Sequence, residues 1–418
     1  VRRAADKTGI AKERIWIFDV QGQAVPQGYK SWQSLLTHGE RDWPRFNDLE
    51  TCRTTPAARL FSSGTTGLPK AATLTHYNFI AQHTLVHEYA DKPYTASRIF
   101  CIPMFHASSV PTAHTSALRA GTPTYVLRRF ELEPLLASIE KFGITELAVV
   151  PPIVVAMLMS PATKKYSLKS IKAASCGAAP LAKETQQRFR ELLSPDATVT
   201  QVWGMTETSC VASMIHYPGD DTTGSVGKLL PCVDAKLVDD EGKDISDYDV
   251  RGELCVRGPT IIPGYFENPK ANAESYDGDG YFHTGDIAYL SAETGFWYIV
   301  DRKKELIKVR GFQVAPPELE AVLLSHPNII DAAVIGVKDA TDKDVEHPRA
   351  YVVARPGAPK PTEQEVKDFL NGKLAKYKAL TGGVVFLEAI PKNPSGKILK
   401  RMLREMVEAE EKAKRAKL

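Results

Sequence analysis

The sequence predicts an α/β protein. A large N-terminal domain of mostly parallel sheets and helices, with a small β-rich subdomain, is followed by a small α+β C-terminal domain. Three observations carry this. From Arg59 onward, short apolar runs alternate with segments of helical period, the pattern of a parallel sheet with crossover helices. Between residues 235 and 258 the texture changes to short strands and turns. After a Lys/Arg-rich run at 301–305, the remaining chain is long enough for a core of its own. The division expected is 1–300 and 301–418, within the two or three domains that 418 residues allow.

The elements follow in order. The first sixty residues join a basic, helix-like start to a polar stretch containing Trp32 and Trp43. Residues 99–103 and 122–127 read as buried strands, and 133–142 has helical period. The most apolar stretch, 147–159, is shorter than the ~20 residues of a membrane-spanning helix. It is also broken by Pro151-Pro152, so it reads as a strand over 146–150, a turn and a short helix. Residues 362–378 read as a helix opened by a capping box, Thr362 with Glu365. The last twenty residues, rich in Ala, Glu, Lys and Arg, read as a solvated helix.

Composition narrows the function. With 53 Lys+Arg against 50 Asp+Glu the net charge is +3, which gives no electrostatic reason to expect a nucleic-acid partner. A chain that is 43% hydrophobic and 25% charged is not globally disordered. Six scattered cysteines without a C-x-x-C pair disfavour a zinc site or a disulfide scaffold, so a reduced intracellular compartment is expected. The chain opens on Val1 with no apolar segment after it, which predicts no signal peptide and reads as a fragment or a processed start.

The most informative segment is Phe61-Ser62-Ser63-Gly64-Thr65-Thr66-Gly67-Leu68-Pro69-Lys70. Gly64 and Gly67 let the backbone bring N–H groups close to an oxyanion. Ser62, Ser63, Thr65 and Thr66 add hydroxyl donors, and Lys70 adds a charge. The glycine spacing is not that of a Walker A loop, and no Ser or Thr follows the lysine. A short Gly-x-x-Gly alone is more often a surface turn; so many donors in ten residues point to phosphate.

This string resembles the signature loop of the adenylate-forming (AMP-binding) superfamily, which includes acyl-CoA synthetases and 4-coumarate–CoA ligases. The resemblance runs in order over most of the chain. It includes Pro103-Met104-Phe105-His106, Cys176-Gly177-Ala178-Ala179-Pro180-Leu181 and Gln201-Val202-Trp203-Gly204-Met205-Thr206-Glu207-Thr208. It continues through Gly252-Glu253-Leu254 to Gly264-Tyr265, Tyr281 to Asp286, Asp301-Arg302 to Val314, and Pro394-Ser395-Gly396-Lys397. The texture is closest to 4-coumarate–CoA-ligase-like enzymes of fungal type. Family members carry a longer stretch before the phosphate loop, so the resemblance implies a chain lacking its N-terminal portion.

What the resemblance implies is an acid–thiol ligase that uses ATP, Mg²⁺ and CoA. ATP or AMP contacts are expected from Ser62, Ser63, Gly64, Thr65, Thr66, Gly67, Lys70, Gly177, Ala178, Ala179, Gln201, Trp203, Gly204, Met205, Thr206, Asp286, Arg302 and Lys397. Asp286 has the acceptor capacity for ribose hydroxyls, and Arg302 can donate to the same sugar. Glu207 is the expected magnesium carboxylate. Lys397, His106 and Thr206 are the expected catalytic residues. A lone His beside Phe is more often a packed core residue, and a lysine in a basic stretch is more often solvated; motif position lifts both. His106, Ser108, Val202 and Gln313 are expected at the acyl pocket. Lys308 and Gly311 are expected on the CoA side, with Lys304 as the hinge of a mobile C-terminal domain.

No carboxylate follows His106 to hold an ammonium, which disfavours amino-acid activation. Aryl, arylpropenoic or medium-chain fatty acids stay open. The terminal Ala416-Lys417-Leu418 resembles a peroxisomal address read by an import receptor, with a cytoplasmic location as the alternative. Competing readings are an adenylate-former with another acceptor (luciferase-like or carrier-loading) and an inactive nucleotide-binding relic.

Overall fold

The structure, a computed structural model, describes residues 2–20, 22–62, 69–310, 312–339, 345–393 and 396–415. Ser63, Gly64, Thr65, Thr66 and Gly67 of the phosphate loop lie outside these residues, as do Gly311, Pro394, Ser395 and the Ala416-Lys417-Leu418 tail. The chain divides into two compact units, 1–51 and 52–418. In the first, a helix Arg2–Lys7 precedes two short parallel strands, Trp16–Ile17 and Lys30–Ser31. Among its described residues only Ala5 is buried, so this unit has no core of its own.

The second unit opens with an antiparallel hairpin, Pro56–Ser62 and Lys70–Thr75, in which Ser62 pairs with Lys70 across the phosphate loop. A five-stranded parallel sheet follows. Its spatial order is Thr124–Val126, Arg98–Phe100, Glu146–Val149, Ala173–Cys176 and Thr198–Gln201. The helix Leu132–Phe142 covers it because Leu135, Leu136 and Ile139 share one face and are fully buried. Pro151 and Pro152 occupy the first turn of the helix Pro151–Met159, where a missing N–H costs nothing. The helix therefore follows the strand directly, with Val150 as its N-cap and no intervening turn.

An antiparallel sheet, Asp234–Val238, Gly252–Arg257, Phe282–Leu290 and Trp297–Arg302, accounts for the strand-and-turn texture and extends past residue 258. Beyond it, the hairpin Ile307–Val309 and Phe312–Val314 and the sheet Ile329–Lys338, Glu346–Ala354 and Val384–Phe386 enclose a separate core that includes Leu319, Val334, Val352 and Leu370.

Two expectations in this region need correction. The capping box at Thr362 and Glu365 is present, but the helix stops at Asn371. Asn371-Gly372 is a poor helix pair, and only a 3₁₀ turn, Lys376–Lys378, follows. The last helix, Lys400–Arg415, is not solvated all round. Leu403 and Val407, one turn apart, are buried beside Tyr351 and Ile335.

Candidate active site

Parallel strands bring their carboxyl ends to one edge, and open α/β sheets bind ligands outside that edge. Here Arg98–Phe100 leads toward His106, Ala173–Cys176 into Gly177, and Thr198–Gln201 into the Trp203–Glu207 segment. Glu146–Val149 leads to Val150 and Pro152 on the same edge. Motifs far apart in sequence thus share one rim for a topological reason.

The backbone there is tightly specified. A Cβ on Gly177 would stand 2.9 Å from Val202 Cγ2, so Val202 seals the loop against a residue without a side chain. Ala178 then takes φ 70°, and Ala178 and Ala179 are exposed. A Cβ on Gly204 would lie 1.7 Å from the Cys210 carbonyl oxygen, so only glycine passes there. Met205, half-buried, precedes a 3₁₀ turn, Thr206–Thr208, whose residues are buried.

Gln201 departs from expectation. Its Oε1 accepts from Leu181 N at 2.8 Å, and its Nε2 donates to Leu181 O at 2.8 Å and Gln186 Oε1 at 2.9 Å. With both amide hydrogens used and the side chain buried, Gln201 clamps the loop at Leu181 instead of presenting donors to a nucleotide.

Asp286 is held from two sides. Trp203 Nε1 donates to its Oδ2 at 2.9 Å, and Arg302 Nε pairs with its Oδ1 at 2.6 Å. The second contact follows from sheet register, which sets Asp286 opposite Arg302. Each carboxylate oxygen keeps a further lone pair for a sugar hydroxyl. Trp203 is only 8% exposed, so its indole is an edge-anchored wall. Glu253 supports the turn before Asp286: its carboxylate accepts from Gly285 N at 3.2 Å and pairs with Lys303 at 3.1 Å.

Glu207 Oε1 accepts from the Tyr265 hydroxyl at 2.8 Å, and Lys70 Nζ lies 4.6 Å from the centroid of the same Tyr265 ring. Ser62 and Lys70 therefore bring the ends of the phosphate loop beside Glu207. Among the described residues no group of three or more His, Cys, Asp or Glu could hold a metal. A single buried carboxylate suits an oxygen-seeking ion that arrives with phosphates and keeps its waters, which is the behaviour of Mg²⁺.

Lys397 completes the rim from the C-terminal side. Its N–H donates to Asn393 Oδ1 at 2.9 Å, fixing a turn in which Gly396 takes φ 83°. A Cβ on Gly396 would stand 3.3 Å from both Val150 and Pro152 side chains, so the turn sits directly on the carboxyl edge of the sheet. Burial, then the Arg302 charge, hold the Lys397 ammonium below the ordinary lysine range; Asp286, Glu305 and Glu207 pull the other way. His106 is likewise lowered, by burial and then by Lys397, which favours the neutral imidazole. Its Nδ1 accepts from Ser108 N at 3.1 Å and lies 2.8 Å from Ser108 Oγ, so the proton sits on Nε2.

Gln313, expected at the acyl pocket, is not in this cleft, and Lys308 and Lys304, expected on the CoA side and at the hinge, lie outside it too. Gln313 and Lys308 pair across the Ile307–Val309/Phe312–Val314 hairpin and are exposed, while Val314 and Ile307 take the buried face. Gln313 thus lines no acyl pocket in this arrangement. Lys304 lies exposed in the turn after Arg302. Conversely, sequence reasoning quoted Tyr265 and Glu253 within motifs but gave them no role. Nothing in their local spacing marks a partner 58 residues away for Tyr265 or 32 for Glu253.

Comparison with known proteins agrees with this geometry. The AMP-binding enzyme family matches residues 9–266, and its AMP-binding enzyme C-terminal domain matches residues 318–397. An acyl-CoA synthetase of Alternaria alternata is 55% identical over 415 residues, 99% of this chain and 72% of its own length. A phenylacetyl-CoA ligase of Aspergillus niger is 55% identical over 404 residues, 96% of this chain and 74% of its own. ATP-bound MatB from Rhodopseudomonas palustris superimposes with TM-score 0.76 at 30% identity, covering 87% of this chain and 70% of that one. The o-succinylbenzoate coenzyme A synthetase of Bacillus subtilis, in complex with ATP and magnesium, gives TM-score 0.72 at 28% identity, covering 84% and 70%. The chain belongs to the AMP-binding enzyme family, among its acyl-CoA synthetases and ligases.

Proposed function

We propose that this chain is an ATP-dependent acid–CoA ligase. A carboxylate attacks the α-phosphate of ATP, forming acyl-AMP and releasing pyrophosphate. The CoA thiolate then attacks the acyl carbon, forming a thioester and releasing AMP. The observation that carries the reading is Lys397, half-buried, held on the sheet edge and within the field of Arg302, Asp286 and Glu207. A cation there can neutralise charge developing at the α-phosphate and the incoming carboxylate.

The other groups take complementary roles. Lys70 and the phosphate loop cradle the outer phosphates. Glu207 holds Mg²⁺, and Thr206 contacts the α-phosphate. Asp286 and Arg302 take the ribose, and Trp203 flanks the base. Neutral His106 offers Nε2–H to the acid. Lys308 and Gly311 serve CoA after the C-terminal domain rotates about Lys304. Because one relative, 55% identical, is a phenylacetyl-CoA ligase, arylacetic acids are the first to try, beside arylpropenoic and medium-chain acids. The test is incubation with Mg-ATP, CoA and an acid panel, following pyrophosphate and thioester. Thioester formation with at least one uncharged-tail acid is expected; ATP binding with no acid-dependent pyrophosphate release contradicts the reading.

A further inference from the structure

We infer that Tyr265 is a positioning residue that couples the phosphate-loop lysine to the metal-binding carboxylate, aiming Glu207 so that one oxygen faces the ion. The inference rests on the reading of Glu207 as the Mg²⁺ ligand.

Tyr265 is 6% exposed and its backbone is clamped by one side chain. Its N–H donates to Asn272 Oδ1 at 2.7 Å, and Asn272 Nδ2 donates to its carbonyl at 3.1 Å. The preceding Gly264 has φ 153°, and a Cβ there would stand 3.0 Å from the Asn272 amide, so the clamp depends on glycine. On the other side Tyr265 bridges to Ala72 in the strand that begins with Lys70. The ring is thus placed by two elements before any ligand arrives.

Its hydroxyl can only donate to a carboxylate, which has no proton to give in return. That bond takes Glu207 Oε1 at 2.8 Å. Oε2 has no hydrogen bond from the described residues, and it is the oxygen available to an ion. The face of the same ring receives Lys70 Nζ at 4.6 Å, a cation–π distance. One side chain therefore meets the two charges expected to flank the outer phosphates, the cation through its face and the anion through its edge. Without the hydroxyl, Glu207 loses the contact that selects one rotamer, and metal binding must then restrict the side chain itself.

The test compares ATP affinity with and without Mg²⁺, and AMP affinity, by calorimetry on the full chain. For Tyr265→Phe the expected result is a roughly 10-fold loss of the Mg²⁺-dependent gain in ATP affinity, the size of a hydrogen bond to a charged group. AMP affinity should stay within about 2-fold, because the ring and the Lys70 contact remain. Tyr265→Leu should in addition weaken metal-free ATP binding. In a Tyr265→Phe/Glu207→Gln double variant, the loss of Mg²⁺ gain should equal that of Glu207→Gln alone, because the hydroxyl acts through the carboxylate. Additive losses, or a Tyr265→Phe protein with its Mg²⁺ gain intact, overturn the inference. A wild-type chain that binds ATP with no Mg²⁺ gain instead overturns the metal role of Glu207 on which the inference stands. If Tyr265→Phe folds poorly, Asn272→Ala, which removes both hydrogen bonds to the Tyr265 backbone but keeps its hydroxyl, should lower the Mg²⁺ gain in the same direction, and an intact gain there overturns the inference.

Discussion

Asp301 offers a sharp test of how the strand leading to Arg302 is built. The residue is 8% exposed. Its Oδ1 accepts from Arg302 N at 2.7 Å, while Oδ2 is buried with no hydrogen-bond partner among the described residues. The charges acting on it are Lys400, and Glu320 and Glu305, with which Lys400 pairs at 3.2 Å and 3.6 Å. Burial dominates, outweighing Lys400, and lifts the Asp301 carboxyl from 3.8 to about 7. A raised carboxylate binds its proton more tightly in the folded chain than in the unfolded one. Stability from this group is therefore full below about pH 4, falls as pH rises, and levels off above about pH 7. Roughly three pKa units at ~1.4 kcal/mol each put the ceiling near 4 kcal/mol. Asp301→Asn keeps the acceptor for Arg302 N and removes the ionisation. Urea unfolding of both proteins at several pH values between about 5 and 8 isolates the effect, because other titrating groups cancel in the difference. The variant's stability relative to wild type should climb by a few kcal/mol across that range. A difference that is flat with pH refutes the burial argument.

Two further outcomes follow from the cleft. Ser108→Ala leaves His106 Nδ1 with only a backbone donor, so adenylation kcat should fall roughly 3-fold to 10-fold. Ring-nitrogen NMR should show the Nε2–H tautomer loosened, and Ser108→Thr should restore both; an unchanged tautomer with lost activity would assign Ser108 to the acid pocket. Trp203→Phe keeps an aromatic wall but removes the donor to Asp286, so AMP affinity should drop roughly 10-fold, together with a lower melting temperature from the smaller ring in a buried site. Calorimetry with AMP reads this directly, and unchanged affinity would mean that Asp286 is adequately held by Arg302 alone.

Much of this was legible in the letters, for identifiable reasons. The Glu146–Val149 strand and the Leu132–Phe142 helix carry their apolar period openly, and the capping box at Thr362 is a local signal. The order of motifs fixed which residues belong to one cleft, because parallel strands deliver their loops to one edge. What stayed hidden depends on side-chain partnerships across long sequence separations. Gln201 reads as a nucleotide donor until its amide is found clamping Leu181. Ser108 gives no sign in the sequence that its hydroxyl lies on His106. Leu403 and Val407 lie in so charged a context that their stripe is visible only against Tyr351. Asp301 carries no sequence sign of burial at all.

The central claim is that Lys397 and the phosphate-loop hairpin, about 330 residues apart, serve one nucleotide. Acid-dependent exchange of labelled pyrophosphate into ATP isolates the adenylation step from CoA transfer. Lys397→Ala should lower that exchange by at least ~10²-fold, the scale of losing one preorganised transition-state donor, while AMP binding persists. Exchange at the wild-type rate in Lys397→Ala would contradict the account.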